Sequence, residues 1–206
     1  MEFAFDPPTR PASEWRPSLV GGVFVDRGLC GRSMNHGLLR FHDAGSAPVA
    51  QATGDAMFGT GGFTAEVFAF DWLARQFAVT TQLTGEGTPD SSQMLRTVVV
   101  LDPFDGSITP WVDVHSFEGA LSLPLAQDFL QPDLFAQWMH STRIDQLAFE
   151  SCAGAKVPGF YGGKRDISNL SFDSVEVYLS FAQQLWEHGQ KNGSGSPPPH
   201  LVTTKE

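Results

Sequence analysis

Histidine and cysteine are frequent ligands in metal and redox sites, but their spacing in this sequence fits neither kind of site. The six histidines stand at positions 36, 42, 115, 140, 188 and 200, and none forms the HExxH pattern that places two zinc ligands on one helix face. Cys30 and Cys152 form no CxxC pair, and Glu150 adds negative charge where a reactive Cys152 thiolate would need positive charge. We therefore predict no metal site and two reduced, partly buried thiols, with a disulfide between them as the alternative.

Serine, lysine and aspartate also occur in catalytic motifs, but the sequence supports none of three such motifs. No serine stands in the GxSxG turn that exposes the nucleophile of many hydrolases. The run Gly159–Lys164 is similar to a phosphate-binding loop, but Pro158 replaces its first glycine and Arg165 replaces the hydroxyl residue that holds magnesium. Asp102 and Asp105 could form an acid–base pair or a calcium site, yet their Asp-Pro-Phe-Asp-Gly sequence is typical of a hairpin turn. We predict no catalytic residue and no cofactor, and hence a protein that is not an enzyme.

Acidic residues are concentrated in one stretch. From Asp102 to Glu150 the sequence has eight acidic residues and one basic residue, Arg143, so this quarter of the chain carries −7 of the total net charge of −10. An acidic face can mimic a phosphate backbone and attract a basic protein, giving association that is fast and sensitive to salt. The alternative is a solvated face that keeps the protein soluble. The candidate partner-binding residues are Asp113, Glu118, Asp128, Asp133 and Asp145.

The composition is that of a globular domain with many short elements. The chain has 206 residues, of which 41% are hydrophobic and 17% charged, and its 21 glycines and 14 prolines predict frequent turns. The negative charge repels phosphate groups and so disfavours nucleic acid as a direct ligand. Because the sequence begins with no basic and apolar leader and contains no run of about 18 apolar residues, we expect a cytoplasmic protein with no membrane span.

Alternating hydrophobic residues predict one β-hairpin, a β-branched run followed by a turn predicts a second, and a longer hydrophobic spacing predicts two helices. The predicted hairpin strands are Val67–Trp72, Phe77–Thr81, Leu95–Leu101 and Ser107–Trp111. From Pro132 the hydrophobic residues recur every three or four positions, which predicts a helix over 132–142. The same spacing predicts a closing helix from Ser174 to Gly189, with a strand as the alternative for its first half.

Weaker sequence signals predict the remaining short segments, the loops and the limits of the domain. Short extended segments are expected at Leu19–Val25, Gly37–His42 and Ser116–Ser122, and loops at Ala44–Gly54, Gly85–Ser92 and Gly154–Gly163. We predict a Pro-rich lead-in over residues 1–18, one domain over residues 19–189 and a flexible Gly/Ser/Pro tail over residues 190–206.

Two motifs resemble a group of bacterial immunity domains. The run Phe68-Ala-Phe-Asp-Trp-Leu-Ala-Arg-Gln-Phe-Ala-Val79 is similar to an aromatic-Phe-Asp-Trp-Leu-Gly-Arg-Gln-Phe-Ala motif. That motif is common in the SUKH-like superfamily and in the related C-terminal domain of immunity proteins against type VI secreted DNases. A second element of that family looks like the run Val157-Pro-Gly-Phe-Tyr-Gly-Gly163, followed by Asn169-Leu170 and Val177-Tyr178. The order and spacing of these three pieces agree with those of the family.

The resemblance extends beyond these motifs and covers about residues 56 to 187. The hairpin sequence Val99–Gly106 lies between the two motifs, where such domains carry a pair of strands. The departures from the family pattern are Ala74, Gly159 and Leu179, which identify the chain as a divergent member.

The resemblance implies a fold, a set of structural residues and a mode of action. The fold is an α+β domain with a mixed, curved, largely antiparallel sheet and a few packed helices. The residues expected to be structural are Phe70, Asp71, Trp72, Arg75, Phe77, Pro158, Gly162, Gly163, Asn169 and Tyr178. Members of the family share no active site, so we expect a non-catalytic immunity protein that neutralises a toxin with a basic surface. The alternatives are a small-molecule-binding or enzymatic domain with a pocket beneath the 154–163 loop, and a regulatory or scaffold module.

Overall fold

A six-stranded antiparallel sheet forms the centre of the protein. The computed structural model describes residues 3–11, 14–21, 24, 26–59, 62–81 and 96–192. The strands of the large sheet lie in chain order, so each strand is hydrogen-bonded to the next strand along the chain. They are β1 (Ser33–Met34), β2 (Leu39–Phe41), β3 (Glu66–Asp71), β4 (Gln76–Thr80), β5 (Thr97–Asp102) and β6 (Ser107–Asp113). A separate antiparallel pair is formed by β7 (Ser151–Ala155) and β8 (Leu170–Ser174).

Both faces of the large sheet are buried. Ala69, Phe77 and Val100 are partners across β3, β4 and β5 and belong to one hydrophobic cluster. Ala78 and Val99, which are their neighbours along the strands, are also partners and belong to a second cluster. Because side chains alternate between the faces of a strand, these two clusters lie on opposite sides of the sheet.

Helices cover each face. Helices α2 (Phe117–Leu121), α3 (Pro124–Leu130) and α4 (Pro132–Thr142) supply buried side chains to the cluster that contains Phe77. Helices α1 (Ala47–Phe58) and α5 (Val175–Asn192) contact each other and supply side chains to the other cluster. The result is a three-layer arrangement with the sheet in the middle.

The Pro-rich lead-in is attached to the sheet. Phe5 forms an isolated antiparallel bridge with Met34 of β1. The carboxylate of Asp6 accepts hydrogen bonds from the backbone N–H groups of His36 and Gly37, at 2.7 and 3.0 Å. Phe3 and Trp15 of the same segment pack against the core. These contacts hold the described part of the lead-in on the body of the protein.

The structure confirms the α+β class and the strongest element predictions. Both predicted hairpins are present, as β3–β4 and β5–β6, and β2 lies within the predicted segment Gly37–His42. The helix predicted over 132–142 is α4, and the predicted closing helix is α5. Each of these predictions depended on several regularly spaced hydrophobic residues.

The prediction of a loop over Ala44–Gly54 is wrong, because most of this segment belongs to α1. Its alanines have the highest helix propensity. Ala47 and Ala50 are buried, and such small side chains allow the helix to lie close to the sheet. Their weak hydrophobicity also hides the periodic pattern by which an amphipathic helix is predicted.

Three smaller predictions are also wrong. Ser116–Ser122 is not extended but contains α2, which follows a 3-10 turn capped by the carboxylate of Asp113. The described residues of the segment Leu19–Val25 form no strand, because the chain turns at residues 18–20 and is helical at Phe24. Residues 190–192 are not part of a flexible tail, because α5 continues to Asn192.

Two predicted regions, the loop Gly85–Ser92 and the remaining positions 193–206, lie outside the described residues. No helix within the described ranges is both long enough and apolar enough to cross a lipid bilayer.

Candidate functional site

The residues of the first motif form the turn and the buried core of the β3–β4 hairpin. All five are buried, namely Phe70, Asp71, Trp72, Arg75 and Phe77. The carboxylate of Asp71 accepts hydrogen bonds from the backbone N–H of Arg75 at 3.0 Å and from its side-chain Nε at 2.7 Å. The indole Nε1 of Trp72 donates to the carbonyl of Leu130 in α3 at 2.9 Å. The motif therefore joins the hairpin to the helical layer and presents little surface to a partner.

The residues of the second motif shape the segment between β7 and β8. Asn169 closes this segment, because its Nδ2 donates to the carbonyls of Val157 and Lys164 at 2.8 and 2.9 Å. The carbonyl of Val157 occupies the position that a side chain on Gly163 would need. The remaining motif residues, Pro158 and Tyr178, are buried, and Gly162 is exposed with φ +83°. The placement of all five residues suits a role in shaping the backbone.

The space beneath Gly159 in this segment is filled. The ring of Phe104, from the β5–β6 turn, lies directly against Gly159, which has no room for a Cβ atom. The backbone N–H of Gly159 also donates to the carbonyl of Phe104 at 2.7 Å. At Gly159, therefore, packing fills the position of the pocket that the alternative function places beneath the 154–163 loop.

The remaining candidate groups for chemistry are engaged internally. The carboxylates of Asp102 and Asp105 lie 2.7 and 3.9 Å from Nη2 of Arg165, and each also accepts a backbone N–H within the hairpin turn. Cys30 and Cys152 are both buried, and burial raises the pKa of the Cys152 thiol. Within the described part of the chain, no group of three or more His, Cys, Asp or Glu side chains is placed to hold a metal ion.

The five acidic residues predicted to bind a partner belong to the helical layer on one face of the sheet. They are Asp113 at the end of β6, Glu118 in α2, Asp128 in α3, Asp133 in the first turn of α4 and Asp145 just after α4. Asp128, Asp133 and Asp145 are exposed, and the other two are half-buried. Arg27 pairs with Glu118, and among the described residues no other ion pair involves these five carboxylates. The layer therefore presents uncompensated negative charge.

A cavity of about 380 Å³ lies on the opposite face of the sheet, between the first turns of α1 and α5. Its volume falls within the range of roughly 300 to 1,000 Å³ that ligand pockets occupy. Apolar side chains form most of its wall, namely Val49, Ala50, Phe70, Phe149 and Leu179. We call it the α1–α5 cavity.

A hydrogen-bond network forms the polar side of the α1–α5 cavity. The Nε2 atom of His42 lies 2.8 Å from Oε1 of Gln76, whose Nε2 donates to the carbonyl of Ala74. The Oε1 atom of Gln76 is thus an acceptor, so the proton of His42 resides on Nε2, and its Nδ1 lies 3.0 Å from the Oγ atom of Ser46. Burial lowers the pKa of His42 to about 4, although the hydrogen bond to Gln76 opposes the shift. His42 is therefore neutral at physiological pH.

The Ser46–His42 contact has the geometry of a nucleophile with its base, but the surroundings are unsuited to catalysis. A base with a pKa of about 4 has little tendency to remove the proton of a hydroxyl group near neutral pH. The Oγ atom of Ser46 accepts from the N–H of Asp43 and donates its proton to the Asp43 carboxylate at 3.1 Å, which fixes the hydroxyl in the turn before α1. The network stabilises the connection from β2 to α1.

Arg10 of the lead-in closes one side of the α1–α5 cavity. Its Nε lies 2.9 Å from the carboxylate of Asp43, and its Nη1 forms an ion pair with Glu150. Its guanidinium carbon lies 4.4 Å from the centre of the Phe149 ring, a cation–π contact. The carboxylate of Glu176 stands at the start of α5 on the other side of the cavity. Among the residues that line the cavity, the carboxylates of Glu150 and Glu176 outnumber the guanidinium of Arg10, so the net charge of the lining is negative.

The sequence patterns did not predict the α1–α5 cavity, and one signal for it was available. In β2 and the residue that follows it, the apolar Leu39 and Phe41 alternate with Arg40 and His42, and all four are buried. A strand that buries polar residues on one side requires partners for them. Arg40 meets this need by donating to the backbone carbonyls of residues 148, 149 and 151, which positions the wall of the cavity.

Comparison with known proteins identifies a shared fold. No protein-family model matches the sequence, and no curated protein matches it. Among solved structures, the chain is similar to the crystal structure of Atu4351 from Agrobacterium tumefaciens, with a TM-score of 0.54 and 11% sequence identity. The match covers 87% of this chain and 85% of that chain. The two chains therefore share an α+β fold over most of their length.

Proposed function

We propose that this chain is a non-catalytic bacterial immunity protein that binds and neutralises a cognate toxin in the cytoplasm. The observation that carries the proposal is the uncompensated negative charge on the layer formed by α2, α3 and α4. A toxin that cleaves DNA must present a basic surface to the phosphate backbone. An acidic protein layer complements that surface and competes for it.

The resemblance to immunity domains supports the same function. The two motifs that carry the resemblance are used in packing and turn formation, so they account for a common framework and leave the binding surface free to differ between members. A toxin delivered by type VI secretion is the kind of partner that the resemblance implies.

The second candidate is a small-molecule-binding domain, and the α1–α5 cavity is the observation that favours it. Its volume suits a small ligand, and its wall combines apolar side chains with a few polar groups. A metabolite that binds in this cavity and raises the melting temperature of the chain would support this candidate.

Co-expression tests the immunity function. Each protein encoded beside the gene of this chain is expressed in a laboratory bacterium, alone and together with the chain. We expect one neighbour to arrest growth, the chain to restore it, and the purified pair to form a complex that weakens as salt is added. If every toxic neighbour arrests growth equally with and without the chain, the proposal is wrong.

A further inference from the structure

The α1–α5 cavity combines an apolar wall with an acidic rim. Phe70, Phe149 and Leu179 line the wall. The side chain of Glu150 is 66% exposed, and Glu176 is exposed at the start of α5. A long cationic side chain matches this combination, because its aliphatic stem packs on apolar surface while its charged head remains near water and carboxylates.

The lead-in already shows how the cavity binds a guanidinium group. Arg10 lies with its guanidinium over the Phe149 ring and is paired with both Asp43 and Glu150. A planar guanidinium uses the aromatic face and the carboxylates together, whereas a lysine ammonium lacks the planar fork. The open volume of about 380 Å³ remains beside Arg10, bordered by Val49 and Glu176.

An anionic ligand is disfavoured although two helices begin at the cavity. The carboxylate of Asp43 accepts the N–H groups of Gly45 and Ser46 in the turn before α1, at 3.0 and 2.9 Å. The N–H of Val175, the first residue of α5, donates to the carbonyl of Glu150. These amides are therefore already used, and an anion would meet the carboxylates of the rim.

The cavity rim is continuous in sequence with the acidic layer. The chain leaves α4, passes Asp145, and donates the N–H of Leu147 to the carbonyl of His36 beside the β1–β2 turn. It then supplies Phe149 and Glu150 to the cavity. The segment that follows the acidic layer thus passes the β1–β2 turn before it contributes to the wall and rim of the cavity.

We infer that the α1–α5 cavity receives an arginine side chain of the toxin, with its stem on the apolar wall and its guanidinium between Glu150 and Glu176. The inference rests on the proposed function for the identity of the partner, and it assigns a local anchor to that function. The acidic layer then attracts the toxin at long range, and the cavity holds one of its side chains.

An NMR titration of the full chain tests the chemistry of the cavity without a toxin. The probe is N-acetyl-arginine methylamide, and the comparison compound is its neutral citrulline counterpart. We expect the arginine compound to shift the methyl resonances of Val49 and Leu179 and to bind several-fold more tightly than the citrulline compound. Absence of shifts at the cavity, or equal binding of both compounds, would overturn the inference.

Variants on one helix give a matched control for the titration. Glu176→Gln removes a rim carboxylate and should weaken binding of the arginine compound several-fold. Glu187→Gln removes one charge from the exposed side of the same helix, away from the cavity, and should leave binding unchanged. Equal effects of the two substitutions would show general attraction to negative charge and contradict a specific site.

A cavity-filling substitution connects the inference with protection from the toxin. Val49→Arg places the chain's own cation in the cavity, while Val177→Arg adds the same side chain at an exposed position of α5 outside it. With folding checked by thermal melts, we expect Val49→Arg to lose protection in the co-expression assay and Val177→Arg to retain it. If Val49→Arg protects as well as the wild type, the cavity is not used and the immunity function stands. If the wild type gives no protection, the immunity function fails, and the titration still decides whether the cavity binds arginine.

Discussion

Trp72 joins the β3–β4 turn to the helices on one face of the sheet. It is fully buried, and its ring centre lies 5.3 Å from that of Phe135 and 5.9 Å from that of Trp138. Because Trp72→Ala removes this packing and the hydrogen bond to Leu130, we expect the free energy of unfolding in urea to fall by about 3 to 5 kcal/mol. Phe172→Ala, at an aromatic residue that is 52% exposed, should cost much less. Equal stability of the Trp72 variant and the wild type would contradict the structural role of the motif.

Asp71 and Arg75 form a buried ion pair within the same turn. Their side chains are 0% and 5% exposed, and Nη2 of Arg75 lies 2.5 Å from Oδ2 of Asp71. Asp71→Asn leaves the buried guanidinium without a counter-charge, so we expect a loss of about 3 to 5 kcal/mol in chemical unfolding. Adding Arg75→Met to this variant removes the unpaired charge and should recover part of the loss. A double variant less stable than Asp71→Asn would argue against charge burial as the cause.

His42 makes the stability of the protein dependent on pH. Because burial lowers its pKa to about 4 from an unfolded value near 6.5, the unfolded chain binds a proton between these values and the folded chain does not. The unfolding free energy should therefore fall as the pH drops from about 6.5 to 4, by about 3 kcal/mol from this group. We expect His42→Gln to have a flatter profile over this window in urea unfolding at several pH values. Parallel profiles of the variant and the wild type would show that His42 titrates normally.

At the level of secondary-structure elements, predictability depended on local signals. The β3–β4 hairpin was predictable because its residues alternate, and the β5–β6 hairpin because a β-branched run precedes a turn that contains Asp and Gly. Helix α4 was predictable because Pro132 and its hydrophobic spacing mark its start. Helix α1 was missed because alanine and glycine carry little hydrophobic pattern. The α1–α5 cavity could not be predicted because it brings together Arg10, Phe70 and Glu176, which are far apart in the sequence.

The two glycines at 162 and 163 support the segment between β7 and β8 for different physical reasons. Gly162 has φ +83° with open space around it, so Gly162→Ala should cost about 1 to 2 kcal/mol from backbone strain alone. A methyl group on Gly163 would instead collide with the backbone carbonyl of Val157, which cannot move without breaking its hydrogen bond to Asn169. We therefore expect Gly163→Ala to lower the melting temperature more than Gly162→Ala. The reverse order would contradict the packing of this segment.

At the scale of the whole molecule, the sheet separates two surfaces that act over different distances. The acidic layer of α2, α3 and α4 lies on one face, and the α1–α5 cavity lies on the other. Charge on an exposed layer acts over roughly the Debye length, about 8 Å at physiological ionic strength, and changes mainly the rate of encounter. An anchored side chain acts only in contact and changes mainly the rate of dissociation. The two surfaces can therefore be distinguished by kinetics.

Charge reversal of the acidic layer should slow association with only a small effect on the fold. Asp128, Asp133 and Asp145 are exposed and form no ion pair among the described residues, so replacing all three by lysine should lower the melting temperature only slightly, chiefly because Asp133 lies in the first turn of α4, where a negative charge is stabilising. In stopped-flow binding to the toxin identified by co-expression, we expect the association rate at low salt to fall about tenfold or more, and its dependence on salt to weaken.

The dissociation rate of the triple variant should change little, whereas Val49→Arg should raise the dissociation rate and leave the association rate nearly unchanged. A wild-type association rate insensitive to salt, or a triple variant that associates normally, would leave the acidic layer as a solubility surface and assign recognition to the cavity alone.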